Sequence, residues 1–556
     1  MLSRTPGGTL ARSFSDDGVE SGEPETVTDL VVFAEKRERD RPRWVWDDTR
    51  RWYPELLAAG LRLERCLDLR LCHAIIRNST LTASSGLARA PRGAWDYALV
   101  IDEPRIERDT ALFDTEMFDF GQDRAVADPD PVAEFLLQRE ATAASENPGR
   151  IGLLLAAESA GALVACEMKY AGLPVDADTH DRLLTGLLGP RPRFGERPAK
   201  LEALLTTMKG ILDSDDVNPD SPAELLKALG RAGIIATSTR SWELKKIAHP
   251  VIEPLLEYKK LSRLMTANGW NWLDTWVANG RFRPEYVPGG VVTGRWAASG
   301  GGALQLPKQI RGAVIADPGW KLVVADASQL EPRILSAMSG DRRMAEAGRG
   351  DLYEGIVSSG AVKTRAEAKV AMLGAMYGAT SGESGRLMPA LTRAFPQAIA
   401  LVEAAARSGE NGEVVTTRLG RSSPLPGSEW QQAQGEAYGE LATPQSAARA
   451  RGAARSWGRF TRNFIVQGSA AEWALCWMAG LRGRLWNLSD GALVERPHLV
   501  FFLHDEVIVH APADLADAVV TEIRAAAVDA GRLLFGAIPV DFPVTAVSVD
   551  NYAQAK

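Results

Sequence analysis

Two apolar runs in the C-terminal half end on acidic residues. WKLVVADASQL (320–330) delivers Asp326 at its close, and LVFFLHDEVIVHA (499–511) is interrupted by His504, Asp505 and Glu506. Their β-type composition predicts strands, with the HDE triplet in a tight hairpin turn. Elsewhere the pattern changes along the chain. From about 28 to 125, short runs such as LVVFA, RWVWD and YALVID alternate with amphipathic stretches such as RWYPELLAAGLRLERCL, which predicts a small α/β domain. From about 130 to 275 a helical period dominates, in EFLLQREATAA, LLLAAESAGALVACEMKYAG, SPAELLKALGRAG and PVIEPLLEYKKLSRLMTANG. β-type runs return after 280, in WKLVVADAS, PHLVFFLH and EVIVHAP, and a helical insertion from about 341 to 480 separates them. Residues 1–27 are rich in Gly, Ser, Pro and acids, a composition that predicts disorder. No internal repeat is visible.

With 556 residues the chain is long enough for three or four domains, and 45% hydrophobic and 24% charged residues fit a soluble globular protein. No apolar stretch reaches membrane-spanning length without a charge or turn signal, so no membrane association is expected. MLSRTPGGTLARSF lacks the apolar centre of a signal peptide, which predicts no export. Cys66, Cys72, Cys166 and Cys476 are scattered without a C-x-x-C unit and read as buried thiols, not as a zinc site. A net charge of −7 argues mildly against nucleic acid, but the charge along a groove matters more than the total. Basic residues gather at Arg449, Arg451, Arg455, Arg459 and Arg462, whereas acids crowd the N-terminal part, including VADPDPVAEF.

Asp326 and Asp505 at the ends of neighbouring strands suit a site for two magnesium ions, because magnesium takes a few carboxylates and leaves the rest of its shell to substrate oxygens and water. Taken alone, either aspartate reads better as a strand-end turn residue, the usual fate of a lone Asp. The intervening stretch alters that balance. Arg365 and Lys369 lie four apart, and Leu373 and Tyr377 continue the same helical face. From Arg365 to Tyr377 such a helix rises about 18 Å, the reach of a triphosphate with its sugar and base. The two cations can neutralise departing pyrophosphate, and Gly374 and Gly378 are expected to let a base pair approach the helix backbone.

Several segments in one order resemble DNA polymerase family A. DASQLEPR (326–333) is similar to its D-Y-S-Q-I-E-L-R motif, RAEAKVAMLGAMYG (365–378) to R-x-x-x-K-x-x-x-[FY]-G-x-x-Y-G, and HDE (504–506) to the second palm motif. TGR (293–295) resembles T-G-R-L-S-S, and RFTRNFIVQGSAAE (459–472) resembles R-x-x-x-N-x-x-x-Q-G-T-A-A-D. VNPDSPAELLKAL and LLEYKKLSRL look like thumb segments, so the resemblance covers roughly 150–556.

The resemblance implies an α+β right hand preceded by an α/β exonuclease-like domain. Its divisions are a tail (1–27), a degenerate 3′–5′ exonuclease-like domain (28–125), linker helices and thumb (126–285), palm (286–340), fingers (341–458) and palm again (459–556). Asp326 and Asp505 would hold two Mg²⁺ ions, with Glu506 supporting them. Arg365 and Lys369 would grip the dNTP, together with Gln329, Leu373 and Tyr377, and Glu331 would be the gate against a 2′-hydroxyl. Thr293, Arg295, Arg459, Asn463, Gln467 and His504 would contact primer–template DNA. A cytoplasmic, nucleoid-associated monomer is implied. Departures are Ala327 for Tyr, Pro332 for Leu, Leu373 for an aromatic residue, and the glycine-rich SGGGALQLPKQIRG after TGR. They bear on template positioning and sugar selection.

In the N-terminal domain Asp68 sits at a plausible second exonuclease position, but no D-x-E precedes it and no Y-x-x-x-D follows. Asp114-Thr115-Glu116 has the D-x-E spacing in the wrong order, so the exonuclease metal site is expected to be lost. The resemblance also implies that the chain begins too late for a 5′ nuclease domain. Two other readings stay open: a single-subunit RNA polymerase, which shares the palm but not HDE or a gate Glu, and a catalytically silent DNA-binding hand.

Overall fold

The computed structural model describes residues 1–97, 130–193, 195–299, 306–379, 382–439 and 442–555. The first 27 residues are not disordered. They form an antiparallel sheet of β1 (Leu2–Thr5), β2 (Gly8–Phe14) and β3 (Glu20–Val27). Thr5 pairs with Gly8 across Pro6-Gly7, and Leu2, Ala11 and Val27 bury against Trp44, Trp46 and Trp52. Average composition concealed these few alternating apolar positions, and a tryptophan-rich neighbour gives them a place to bury. LVVFA also departs from a strand reading. It lies in the helix Leu30–Glu38, whose Val32 N–H donates to the Asp29 carboxylate at 3.0 Å.

A parallel pair, β4 (Arg43–Trp46) and β5 (Arg65–Asp68), is joined through the helix Thr49–Ala58. This is a right-sized crossover for an α/β unit. Asp114-Thr115-Glu116 and residues 98–102 of YALVID lie outside the described residues. Helix α1 (Pro148–Ala171) is long and apolar enough to cross a membrane, but 78% of its most apolar window is buried inside the protein. Its buried Glu158 pairs with Arg421, and its buried Glu167 with Arg482. It is a core helix.

The C-terminal half is built on four antiparallel strands: β6 (Trp320–Ala327), β7 (His498–Leu503), β8 (Glu506–Pro512) and β9 (Val544–Val549), in the order β7-β8-β6-β9. The twofold alternation of a strand separates two cores. Leu322, Val324 and Ile508 pack with the helices of 177–276, whereas Val323, Ala325, Val507 and Val509 face the helices behind the sheet. Between β6 and β7 the chain is helical and includes α2 (Leu330–Ser339), α3 (Arg365–Tyr377) and α4 (Pro444–Trp486). α4 runs unbroken for 43 residues, so the division drawn at 458/459 falls inside one helix. Finally, α5 (Ala516–Phe535) packs on α4 behind the sheet.

Candidate active site

Pairing of the β7–β8 hairpin with β6 brings the carboxylates together. Asp326 on β6 is opposite Glu506 on β8, and the Ala327 N–H donates to the Asp505 carbonyl at 2.8 Å. Leu503 pairs with Glu506, so His504 and Asp505 form a two-residue turn. His504 takes φ +57°, a left-handed conformation that costs a non-glycine residue about 1–2 kcal/mol. Gln329, just beyond Asp326, is also left-handed at φ +56°. Backbone strain thus flanks both aspartates, as it often does where a site imposes its geometry. Burial, and then the negative charge of Asp326, pushes the Asp505 carboxyl up to about 7. Burial, with Arg295 nearby, pushes His504 down to about 4, so its ring is neutral at physiological pH.

Helix α3 starts at Thr364, whose hydroxyl accepts the Glu367 N–H at 3.1 Å. Ala368, Ala371, Met372, Ala375 and Met376 are buried, whereas Arg365, Lys369, Leu373 and Tyr377 are exposed along one face. That face is the one read from the sequence. Arg365 binds Asp351 at 2.8 Å and stacks over Tyr353 at 5.4 Å from the ring centroid. Lys369 is exposed, with no ion-pair partner among the described residues. At the far end the Tyr377 hydroxyl donates to Glu331 at 2.9 Å, and Glu331 is ion-paired with Arg295. Burial and the Glu331 charge push the Tyr377 phenol up to about 12. Contacts therefore run from α3 through Glu331 and Arg295 to the field around His504 and Asp505.

Several sequence expectations change here. Gly374 does not open α3 to a base pair. A Cβ there would meet Ser384 Cβ at 2.6 Å, so the glycine admits the neighbouring helix. Gly378, at φ +71°, caps α3, and a Cβ would meet Arg459 Cγ at 2.7 Å. Thr293 was expected on the DNA, but its side chain is buried and its carbonyl packs by Gly468 of α4. Gln329 was expected on the dNTP, but both ends of its amide are engaged. Nε2 donates to Asp351 at 2.8 Å, and Oε1 accepts from Leu352 N–H at 2.9 Å. It holds the turn after Asp326 to the loop that restrains Arg365. Arg295 is committed to Glu331 in this structure.

Arg459, Asn463 and Gln467 recur every four residues on α4. Arg449, Arg451 and Arg455 are also exposed on α4, but Arg462 is buried and paired with Glu403. Sequence reasoning missed Asp351, Arg421 and Tyr552. Asp351 could have been found as the cap of the helix Leu352–Ser358, since a side-chain acceptor before an apolar turn is a start signal. Nothing local marks the other two.

The donor set suits hard cations. Asp326 and Asp505 provide two oxygen-bearing side chains, and positive charge between them would offset the burial and the Asp326 charge that raise Asp505. Among the described residues no group of three or more His, Cys, Asp or Glu side chains is arranged to hold a metal alone.

The fold is that of a polymerase domain. It matches the structure titled "POL domain of Pol1 from M. smegmatis complex with DNA primer-template and dNTP" with a TM-score of 0.65 and 17% identity, over 98% of this chain and 92% of that one. The profile of DNA polymerase family A matches residues 194–550, and the chain belongs to that family. It is 25% identical over 349 residues to the thermostable DNA polymerase I of Thermus filiformis, covering 56% of this chain and 37% of that one. The DNA polymerase I of Chloroflexus aurantiacus is 26% identical over 328 residues, 53% of this chain and 32% of that protein. The chain thus spans about a third of the length of these relatives.

Proposed function

We propose that this protein catalyses primer-dependent, template-directed DNA synthesis from dNTPs. The observation that carries this is the cross-strand pairing of Asp326 on β6 with Glu506 on β8, next to the β7–β8 turn that bears Asp505, which is within the field of Asp326 and Arg295. On this reading the β6–β9 sheet is the palm, the helices before α4 are the fingers, and the helices of 199–268 are the thumb. Asp326 and Asp505 would hold two magnesium ions, whose positive charge would favour deprotonation of the primer 3′-hydroxyl and offset the charge of the leaving pyrophosphate. Lys369 and Arg365 bind the triphosphate, and Arg365 exchanges Asp351 for phosphate as the nucleotide arrives. Tyr377 and Glu331 close beneath the sugar. Arg459, Asn463 and Gln467 present donors to minor-groove acceptors that all base pairs share, which tests pair shape without reading sequence. Family membership and fold support this reading, as do the matched relatives, whose names are those of DNA polymerases. A role in replication or repair as a cytoplasmic, nucleoid-associated monomer belongs to the same proposal. A primer-extension assay with dNTPs or rNTPs, with and without Mg²⁺, tests it. dNTP-specific, Mg²⁺-dependent extension supports the reading, rNTP preference favours the RNA polymerase alternative, and no extension leaves a silent DNA-binding hand.

Sugar selection follows from Glu331. Its side chain is largely buried and pinned by Tyr377 and Arg295, so it cannot easily move from an incoming 2′-hydroxyl. In Glu331→Ala the ratio of kcat/KM for rNTP over dNTP is expected to rise at least about tenfold, the scale on which pocket sterics discriminate one small group. An unchanged ratio moves the gate elsewhere.

The N-terminal domain is proposed to lack exonuclease activity. Asp68 is buried, and its oxygens accept from Thr49 N–H and Oγ1 at 2.7 Å and from Leu71 N–H at 3.0 Å. Asp48 caps the following helix and pairs with Arg50 at 2.6 Å. Both carboxylates are engaged in local structure. The wild-type protein is expected to leave a 3′-labelled single strand intact with Mg²⁺ or Mn²⁺. Metal-dependent shortening that persists in Asp505→Asn would show a working second site.

A further inference from the structure

The C-terminal residues cross the sheet below the candidate metal site. After β9, Asp550 pairs with Lys321 at 2.7 Å, the Asn551 side chain donates to the Gly312 carbonyl at 2.6 Å, and the Tyr552 N–H donates to the Val314 carbonyl at 3.0 Å. Tyr552 is thereby fixed on the face of the sheet that carries Leu322, Val324 and Ile508, the face to which Asp326 and Glu506 belong by alternation. Its side chain is fully buried, its ring lies 4.4 Å under the Arg311 guanidinium, and its hydroxyl donates to Glu506 Oε1. Buried phenols need a partner, and here the phenol is spent on the carboxylate beside the catalytic aspartates.

We infer that Tyr552 is a positioning residue for Glu506, so that the C-terminal segment 550–555 is part of the active centre and not merely its trailing end. This rests on the function proposed above. With Oε1 held by the phenol, the Glu506 side chain is confined to one orientation next to Asp505, and its charge stays near the cations. Outer groups that orient carboxylates in this way commonly carry about 10–100-fold in metal affinity or activity. Tyr552→Phe removes only the hydroxyl and retains the ring, its packing and the contact with Arg311.

The test compares wild type, Tyr552→Phe, Glu506→Gln and the double variant. Mn²⁺ binding is read by electron paramagnetic resonance on complexes with dideoxy-terminated primer–template and dNTP, and extension is read separately in single turnovers with Mg²⁺. For Tyr552→Phe the expected result is roughly tenfold weaker Mn²⁺ binding and at least about tenfold slower extension. Primer–template Kd should remain within twofold, and Glu506→Gln should be insensitive to the second change. Wild-type Mn²⁺ binding and extension in Tyr552→Phe would overturn the inference, as would equal effects of Tyr552→Phe with and without Glu506→Gln. If Asp505→Asn abolishes extension in the same series, the proposed function survives that failure. If Asp505→Asn extends normally, both fall.

Discussion

Asp326→Asn and Asp505→Asn are each expected to abolish primer extension while holding primer–template DNA within a few-fold of the wild-type Kd. Asparagine preserves size but removes a negative ligand, and metal stabilisation of transition-state charge supplies several kcal/mol, roughly three orders of magnitude in rate. DNA affinity comes mainly from phosphate contacts, which these substitutions leave alone. The exposed Arg449, Arg451, Arg455 and Arg459 of α4 are candidates for them. The folded protein should tolerate Asp505→Asn well. Its backbone carbonyl still accepts from Ala327, and a buried charge opposed by Asp326 is removed. Thermal stability should therefore stay level or rise, which separates lost chemistry from lost fold. Extension near the wild-type rate by either variant would sink the site assignment.

Arg482→Met should destabilise the protein by about 3–5 kcal/mol, because it strands a buried carboxylate. The Arg482 guanidinium is buried where the N-terminal domain, α1 and α4 meet. Nε donates to Glu167 Oε2 at 2.8 Å and Nη2 to Oε1 at 2.6 Å, in bidentate fashion. Nη1 donates to the Glu64 carbonyl at 2.7 Å, and the Tyr53 hydroxyl donates to Glu167 at 2.5 Å. One side chain thus satisfies groups from three parts of the chain. Arg62, 3.6 Å from Glu167, offsets part of the loss. Urea unfolding monitored by tryptophan fluorescence gives the number, and a change below about 1 kcal/mol would mean the pair is dispensable. Adding Glu167→Gln should recover much of it, since replacing both charges is far less costly than orphaning one.

The same residues show why the sequence was readable in some places and opaque in others. Asp326, Asp505 and the face Arg365–Lys369–Leu373–Tyr377 were legible because strand alternation and a helical period of about 3.6 are local rules, and each motif obeys one. The helices of 131–268 follow from the same period. Local rules failed where partners lie far away in sequence. Residues 1–27 have a disordered composition, yet they form a sheet because Trp44, Trp46 and Trp52 offer apolar cover to a few alternating residues. Gly374 admits Ser384 instead of a base pair, which depends on how the next helix folds back. Thr293 is buried by α4, and Gln329 is drawn to Asp351, both contacts invisible in a motif. Tyr552 reaches Glu506 across 46 residues, and Arg482 reaches Glu167 across 315. The sequence by itself determined the chemistry available and the elements that carry it, since periodicity and residue type are properties of short segments. Only the tertiary structure decided which carboxylates stand together, which polar groups are engaged and which remain for a ligand, because burial and hydrogen-bond satisfaction are settled between segments distant in the chain.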